Sequence, residues 1–287
     1  MNKPEVELKR ARDFSGIFNA AFSFMSQEFK RILHVIALYA GVPIVIAVIM
    51  STYYAQNTFS SIMQLMNGTS SYGGPSLLLI FITSVLGFLA HIFIAGLVPA
   101  YMAEYEEKGK NGFVSADVWG RFIRHLGAII GYSLLASIML VVGIIFLIVP
   151  GIYLSIPFAF ILYVKIIEDR DFSGTLSRCF QLVRNNWWVT FGIIILAYLI
   201  VGVVGGLFSV PAMIVAAING FLIGTGQQET FQSDSLAFVV STIFGGLGQY
   251  ILYPLLYIII AFQYYSLREQ KDRETLMDKV SSINEQE

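Results

Sequence analysis

His34, His91 and His125 are the side chains best suited to acid–base chemistry or metal ligation in this sequence. His91 matters most, because it falls near the middle of the apolar run FLAHIFIAG. An ionisable group inside a membrane span is by default a candidate functional site. The competing reading is a neutral imidazole that hydrogen-bonds to a neighbouring helix. Three histidines fall short of a four-histidine iron site. The single cysteine, Cys179, leaves no internal disulfide and no multi-cysteine zinc site.

Carboxylates gather in two groups, Glu104, Glu106 and Glu107 beside Lys108 and Lys110, and Glu168, Asp169 and Asp171 around Arg170. Paired carboxylates can bind cations or move protons. Interleaved with bases at helix ends, they read instead as a solvated, salt-bridged rim, with Asp171 capping the next helix. The serine- and glycine-rich NGTSSYGG at 67–74 has no histidine partner and reads as a flexible loop. No Gly-Lys-Ser/Thr phosphate cradle occurs. Acids accompany the bases, so no nucleic-acid partner is expected. The sequence assigns no catalytic, cofactor-binding or metal-binding residue, and no cofactor.

The elements that carry these residues follow from where charge is missing. Of the 287 residues, 56% are hydrophobic and 13% are charged, about half the charge of an ordinary soluble domain. No Asp, Glu, Lys or Arg occurs in 32–103, 125–164, 185–228 or 235–267. A bilayer crossing takes roughly 20 apolar residues. These runs predict an all-α polytopic membrane protein with six transmembrane helices near 32–53, 76–103, 127–149, 152–167, 188–209 and 237–266. Pro150-Gly151 reads as the turn between the third and fourth. The segment 211–235 begins apolar and ends polar, and reads as re-entrant or interfacial. The opening MNKPEVELKRARDF leads into no short apolar run with a cleavage site, so the first crossing is expected to direct insertion itself.

With six crossings, all 18 Lys and Arg fall on one side, in 3–31, 108–124, 165–184 and 268–279, and none falls in 54–75 or 210–236. Basic residues near span ends stay in the cytoplasm, which predicts cytoplasmic termini in a cytoplasmic (inner) membrane. Five crossings would export Lys165, Arg170, Arg178 and Arg184. The boundaries expected are an integral membrane domain over 1–267 and a polar cytoplasmic tail over 268–287.

DFSG occurs twice, at Asp13 and again 158 positions later at Asp171. Apolar residues follow at Phe18, Ala21, Phe22, Met25 and Phe29 in one case, and at Leu176, Cys179, Phe180, Val183 and Trp187 in the other. The intervals describe one helical face. A diverged third copy is VSADVWGRFIRHL, where Val118, Trp119, Phe122, Ile123 and Leu126 form the stripe and Ser115 with Asp117 marks a helix start. The chain then reads as three units, about 13–104, 113–168 and 171–267, each an amphipathic helix followed by two spans. Each such helix either lies in the headgroup region, its bases meeting anionic lipid, or packs on the bundle as a structural elbow.

The stretch from Val149 to Leu196 runs proline-glycine, apolar span, acidic patch, amphipathic helix, then Asn186-Trp187-Trp188 opening the next span. It resembles the membrane domain attached to some bacterial glycerophosphoryl diester phosphodiesterases and to related stand-alone membrane proteins. The resemblance implies a multi-span membrane protein. It brings no phosphodiesterase chemistry, which resides in a separate barrel of about 250 residues.

Together these readings predict a non-enzymatic membrane protein that organises or senses lipid, or scaffolds a partner, at the cytoplasmic leaflet. The alternative is a small carrier of a hydrophobic or amphipathic solute. The lipid or partner face is expected at Arg121, Arg124, Arg178, Arg184, Trp119, Trp187 and Trp188, and the intramembrane polar site at His91. Expected partners are anionic membrane lipids, with a protein partner or a homo-oligomer. Tyr132, Tyr153, Tyr163, Tyr198, Tyr250, Tyr253 and Tyr257 could line a lipid-sized groove or bond across helices. Glycines at 202, 205 and 206 and at 245, 246 and 248 predict close packing of the fifth and sixth spans.

Overall fold

A computed structural model describes residues 5–66, 75–146, 148–227 and 234–284. Among them all regular structure is helical: α1 (Phe14–Met66), α2 (Leu77–Lys108), α3 (Ser115–Phe146), α4 (Ile148–Phe158), α5 (Ile161–Glu168), α6 (Phe172–Val183), α7 (Trp187–Gly224) and α8 (Leu236–Asn284). Six stretches are long and apolar enough to cross a membrane: Phe14–Ile62, Leu77–Lys108, Ser115–Gly143, Val149–Glu168, Trp187–Gly224 and Leu236–Arg273. In lipid a helix satisfies its own backbone groups, so apolar runs of this length settle into helices. The NGTSSYGG segment lies outside the described residues.

Several expected boundaries move. The first amphipathic segment and first span are one uninterrupted helix, α1, and the second amphipathic segment likewise continues as α3. No turn-forming residue separates them, so the backbone ladder runs on. Only α6 stands apart from its span, because Asn185 takes a left-handed conformation at φ 73° between α6 and α7, which asparagine tolerates better than most residues. Pro150 and Gly151 sit in the first turn of α4 rather than in a loop, where proline's missing donor has no intrahelical role. The fourth span breaks instead at 159–160, between α4 and α5. The segment after residue 210 is not re-entrant up to Gly224: α7 carries on through Pro211 as one helix.

The chain divides into two compact units, one formed by Met1–Val35, Ala95–Tyr198 and Pro254–Glu287, the other by Ile36–Ile94 and Leu199–Tyr253. In the second unit the glycine expectation holds in part. A Cβ on Gly245 would sit 3.3 Å from the Phe208 carbonyl, and one on Gly248 would strike the Phe208 ring, so α8 approaches α7 there. Gly246 instead faces Val48 of α1, and Gly202 and Gly206 face nothing within 4 Å. His91 meets Tyr253 edge-on at 5.1 Å, and Tyr253 meets Tyr250 at 5.6 Å.

The first unit holds nearly all the charge. There α6 packs on both α4 and α5, burying Thr175, Cys179, Leu182 and Val183. Burial pushes the Cys179 thiol up to about 12, so it stays protonated and inert at neutral pH.

The DFSG phrase now has a geometric cause. Asp13 precedes α1 and accepts from the Gly16 N–H at 3.1 Å. Asp171 precedes α6 and accepts from the Gly174 N–H at 3.1 Å. In each case a Cβ on the glycine would lie 2.5 Å from the capping oxygen, so the glycine admits the carboxylate. Gly174→Ala is therefore expected to displace the cap and cost about 1 kcal/mol, read as a lower unfolding midpoint in detergent. α3 starts differently: Asp117, in its first turn, accepts from the Val114 N–H at 2.9 Å. Ser115 is thus the first helical residue and not the cap.

Candidate functional site

The candidate site grows from the charged residues of the first unit, and most of them prove to be internal. Glu28 is only 1% exposed and accepts from the Tyr101 hydroxyl at 2.7 Å, with Lys110 at 3.2 Å and Arg31 at 3.4 Å. Arg31 also donates to the Phe113 carbonyl at 3.0 Å and lies over the Phe113 ring. Glu104, 4% exposed, pairs with Arg121 at 2.6 Å and Lys108 at 2.9 Å. Glu106 takes Arg268 at 2.5 Å, Lys9 at 3.1 Å and the Tyr265 hydroxyl at 2.9 Å. Glu168 takes Arg170 at 2.6 Å, Arg178 at 3.2 Å and the Tyr264 hydroxyl at 2.9 Å. A buried charge persists only when paired and hydrogen-bonded, and these four carboxylates each bind several donors. Of the solvated rim expected from the sequence, Glu104, Glu106 and Glu168 are instead largely enclosed ionic nodes, while Glu107, Asp169 and Asp171 are exposed and fit the rim.

This sorting changes the expected interface. Arg121 and Arg178 are each 12% exposed: Arg121 binds Glu104 and Glu107, and Arg178 binds Glu168 and Asp272. Burial works against the charged form of Arg178, yet the Glu168 and Asp272 carboxylates outweigh it and hold the guanidinium above the ordinary arginine value. Both arginines are largely enclosed by carboxylates of their own chain. Arg124 and Arg184 are exposed. Trp119 is half-buried and stacks on Phe122 at 5.4 Å. Trp188 is 77% exposed, whereas Trp187 is half-buried. His91 belongs to the second unit and is not brought together with the others within one compact unit.

At the start of α7 a proline, a tryptophan and an arginine converge. Pro157 has no N–H, so α4 leaves the Tyr153 carbonyl without its usual acceptor role four residues back. The Trp187 indole donates to that carbonyl at 3.2 Å and stacks on the Tyr153 ring at 5.6 Å. Phe191 also stacks on Trp187, at 5.2 Å, and Trp188 stands edge-on at 4.7 Å. Beside this aromatic wall lies a cleft of about 450 Å³, bounded by α4, α6 and the first residue of α7, with Arg184 and Asn185 at its rim. No carboxylate lines it. A second, more apolar cleft of about 470 Å³ lies between Tyr132, Leu135 and Phe172. Tyr153 and Tyr132 border these clefts, and Tyr163 is buried and donates to the Tyr257 carbonyl at 2.6 Å. That hydrogen bond, from α5 to α8, is the cross-helix bonding that was the other reading of these tyrosines.

Sequence reasoning missed Glu28, Tyr264, Tyr265 and the buried Gln263–Thr190 hydrogen bond at 2.8 Å. Glu28 was the findable one, since it continues the Ile17, Ala21, Phe24 spacing of the buried face. Among the described residues, no group of three or more His, Cys, Asp or Glu is placed to hold a metal ion.

No curated protein and no solved structure matches the chain. A family model described as a domain of unknown function (DUF7847) matches residues 32–267, from the first apolar run through the last span. The chain belongs to that domain family.

Proposed function

We propose that this is a non-enzymatic protein of the cytoplasmic membrane that crosses it six times, keeps both termini in the cytoplasm, and organises or senses anionic lipid at the cytoplasmic leaflet. One observation carries the reading: after carboxylates have claimed Arg121 and Arg178, Arg124 and Arg184 remain exposed, the latter four positions before Trp188, which is 77% exposed. Exposed bases beside interfacial tryptophan are what an anionic leaflet attracts. The one-sided distribution of the 18 bases supports the orientation.

The three-unit organisation belongs to the same proposal. Two observations support it for the first and third units: the matched Asp–Gly caps, and burial at Ile17, Ala21 and Phe24 paralleled at Thr175, Cys179 and Leu182, with Phe22 and Phe180 both exposed. The buried face is rotated slightly from the stripe expected on sequence.

The test is the lipid retained through purification. The wild-type protein should carry phosphatidylglycerol or cardiolipin above their share of the source membrane, and an Arg124→Ala/Arg184→Ala variant should carry less. Retained lipid that mirrors the membrane in both proteins contradicts the proposal. The second reading, a small carrier, draws on the His91–Tyr253 ring contact in the second unit; it predicts that His91→Ala abolishes flux of some amphipathic solute without loss of assembly.

A further inference from the structure

We propose that the cleft between α4, α6 and the start of α7 is a discrete site for the phosphodiester headgroup of one anionic phospholipid; this rests on the lipid-facing reading and sharpens it to one pocket. Its volume, about 450 Å³, is that of a small-molecule site. The donors and the apolar wall are segregated, as an amphipathic ligand requires. Arg184 offers a planar guanidinium, the geometry that grips phosphate oxygens in pairs, and it lies at the rim with no carboxylate lining the cleft to neutralise it. Ser177 accepts from the Gln181 amide at 3.2 Å, which leaves its hydroxyl proton to donate. Asn185 adds a second amide at the turn where its left-handed backbone holds it.

The aromatic wall is the Tyr153–Trp187 stack, fixed by the indole hydrogen bond to the carbonyl that Pro157 frees. Trp187 opens a span, so the cleft sits where a lipid's glycerol backbone meets water. The shared chemistry, a phosphate ester, could equally come from a soluble metabolite, but that ligand would leave the aromatic wall uncovered. Carboxylate exclusion and an aromatic wall together favour the lipid.

The experiment titrates the purified full-length protein in dodecyl maltoside with dioleoyl phosphatidylglycerol and counts bound lipids by native mass spectrometry. Wild type should hold one lipid distinctly more tightly than the rest. Arg184→Ala should weaken that lipid about tenfold, the low end for losing a charge-assisted hydrogen bond. Gln181→Ala and Arg124→Ala should each weaken it less. Glycerophosphoglycerol, the same phosphodiester without chains, should not displace it. Equal losses in Arg124→Ala and Arg184→Ala would overturn the discrete site while keeping the lipid-facing reading. No preference for phosphatidylglycerol over phosphatidylcholine in any variant would sink both. Displacement by equimolar glycerophosphoglycerol would overturn the lipid assignment in favour of a soluble phosphate ester.

Discussion

Glu106→Ala is expected to lower stability by about 3 kcal/mol, the scale of breaking a buried ion pair from one side. Glu106 is one-tenth exposed and anchors α2 to α8 through Arg268, and to the N-terminal segment through Lys9. Its removal strands a guanidinium that also lies over the Tyr264 and Tyr265 rings. It also strands the buried Tyr265 hydroxyl, whose other acceptor, the Met102 carbonyl, is 3.4 Å away. Glu106→Gln keeps an acceptor for the tyrosine and should lose less. Glu107→Ala, one position along but half-exposed, should change stability by less than about 1 kcal/mol. Unfolding midpoints in detergent, followed by tryptophan fluorescence, measure all three. Equal effects at 106 and 107 would restore the solvated-rim reading.

Gly96→Ala should cost about 1–3 kcal/mol, because the new Cβ has nowhere to go. Placed on the backbone, it would lie 2.7 Å from the Phe122 ring and 2.9 Å from the Ile129 side chain, both fully buried on α3. Packing of α2 on α3 depends on that missing methyl. Gly120→Ala is the control: nothing lies within 4 Å of its Cβ, so the helical preference of alanine should raise stability by about 0.5–1 kcal/mol. Phe122→Leu in the Gly96→Ala background should recover part of the loss, since the two sites touch and cannot act independently.

The number and approximate place of the apolar helices were legible, because bilayer crossing is governed by length and hydropathy. The break in the fourth span was written at Pro157, but Pro150-Gly151 drew the prediction because both are turn residues; their position in the first turn of α4 makes them compatible with helix. The continuity of α1 was hidden because polarity changes along it while backbone geometry does not. The fifth span was expected to end near 209, yet α7 passes on through Pro211, as membrane helices often do when their freed backbone groups find other partners.

The candidate site was half legible. Arg184, Trp187 and Trp188 stood out by type and position, and Arg184 and Trp187 line the same cleft. Arg121 and Arg178 looked the same in sequence but are enclosed by carboxylates from elsewhere in the chain, Glu104 and Asp272 among them. Charge pairing across such separations carries no local periodic signal. The cleft itself depends on an asparagine's left-handed turn and a carbonyl orphaned by proline, which only coordinates reveal.

The account stands on the basic residues all facing the cytoplasm, and the native thiol cannot report this because Cys179 is fully buried. Introduced cysteines can: Ser173, exposed on α6, and Gln227, exposed just after α7. In intact cells an impermeant maleimide should label Gln227→Cys, and it should reach Ser173→Cys only after permeabilisation. Labelling of Ser173→Cys from outside intact cells would place α6 on the opposite face and contradict the six-crossing orientation, together with the lipid-leaflet role built on it.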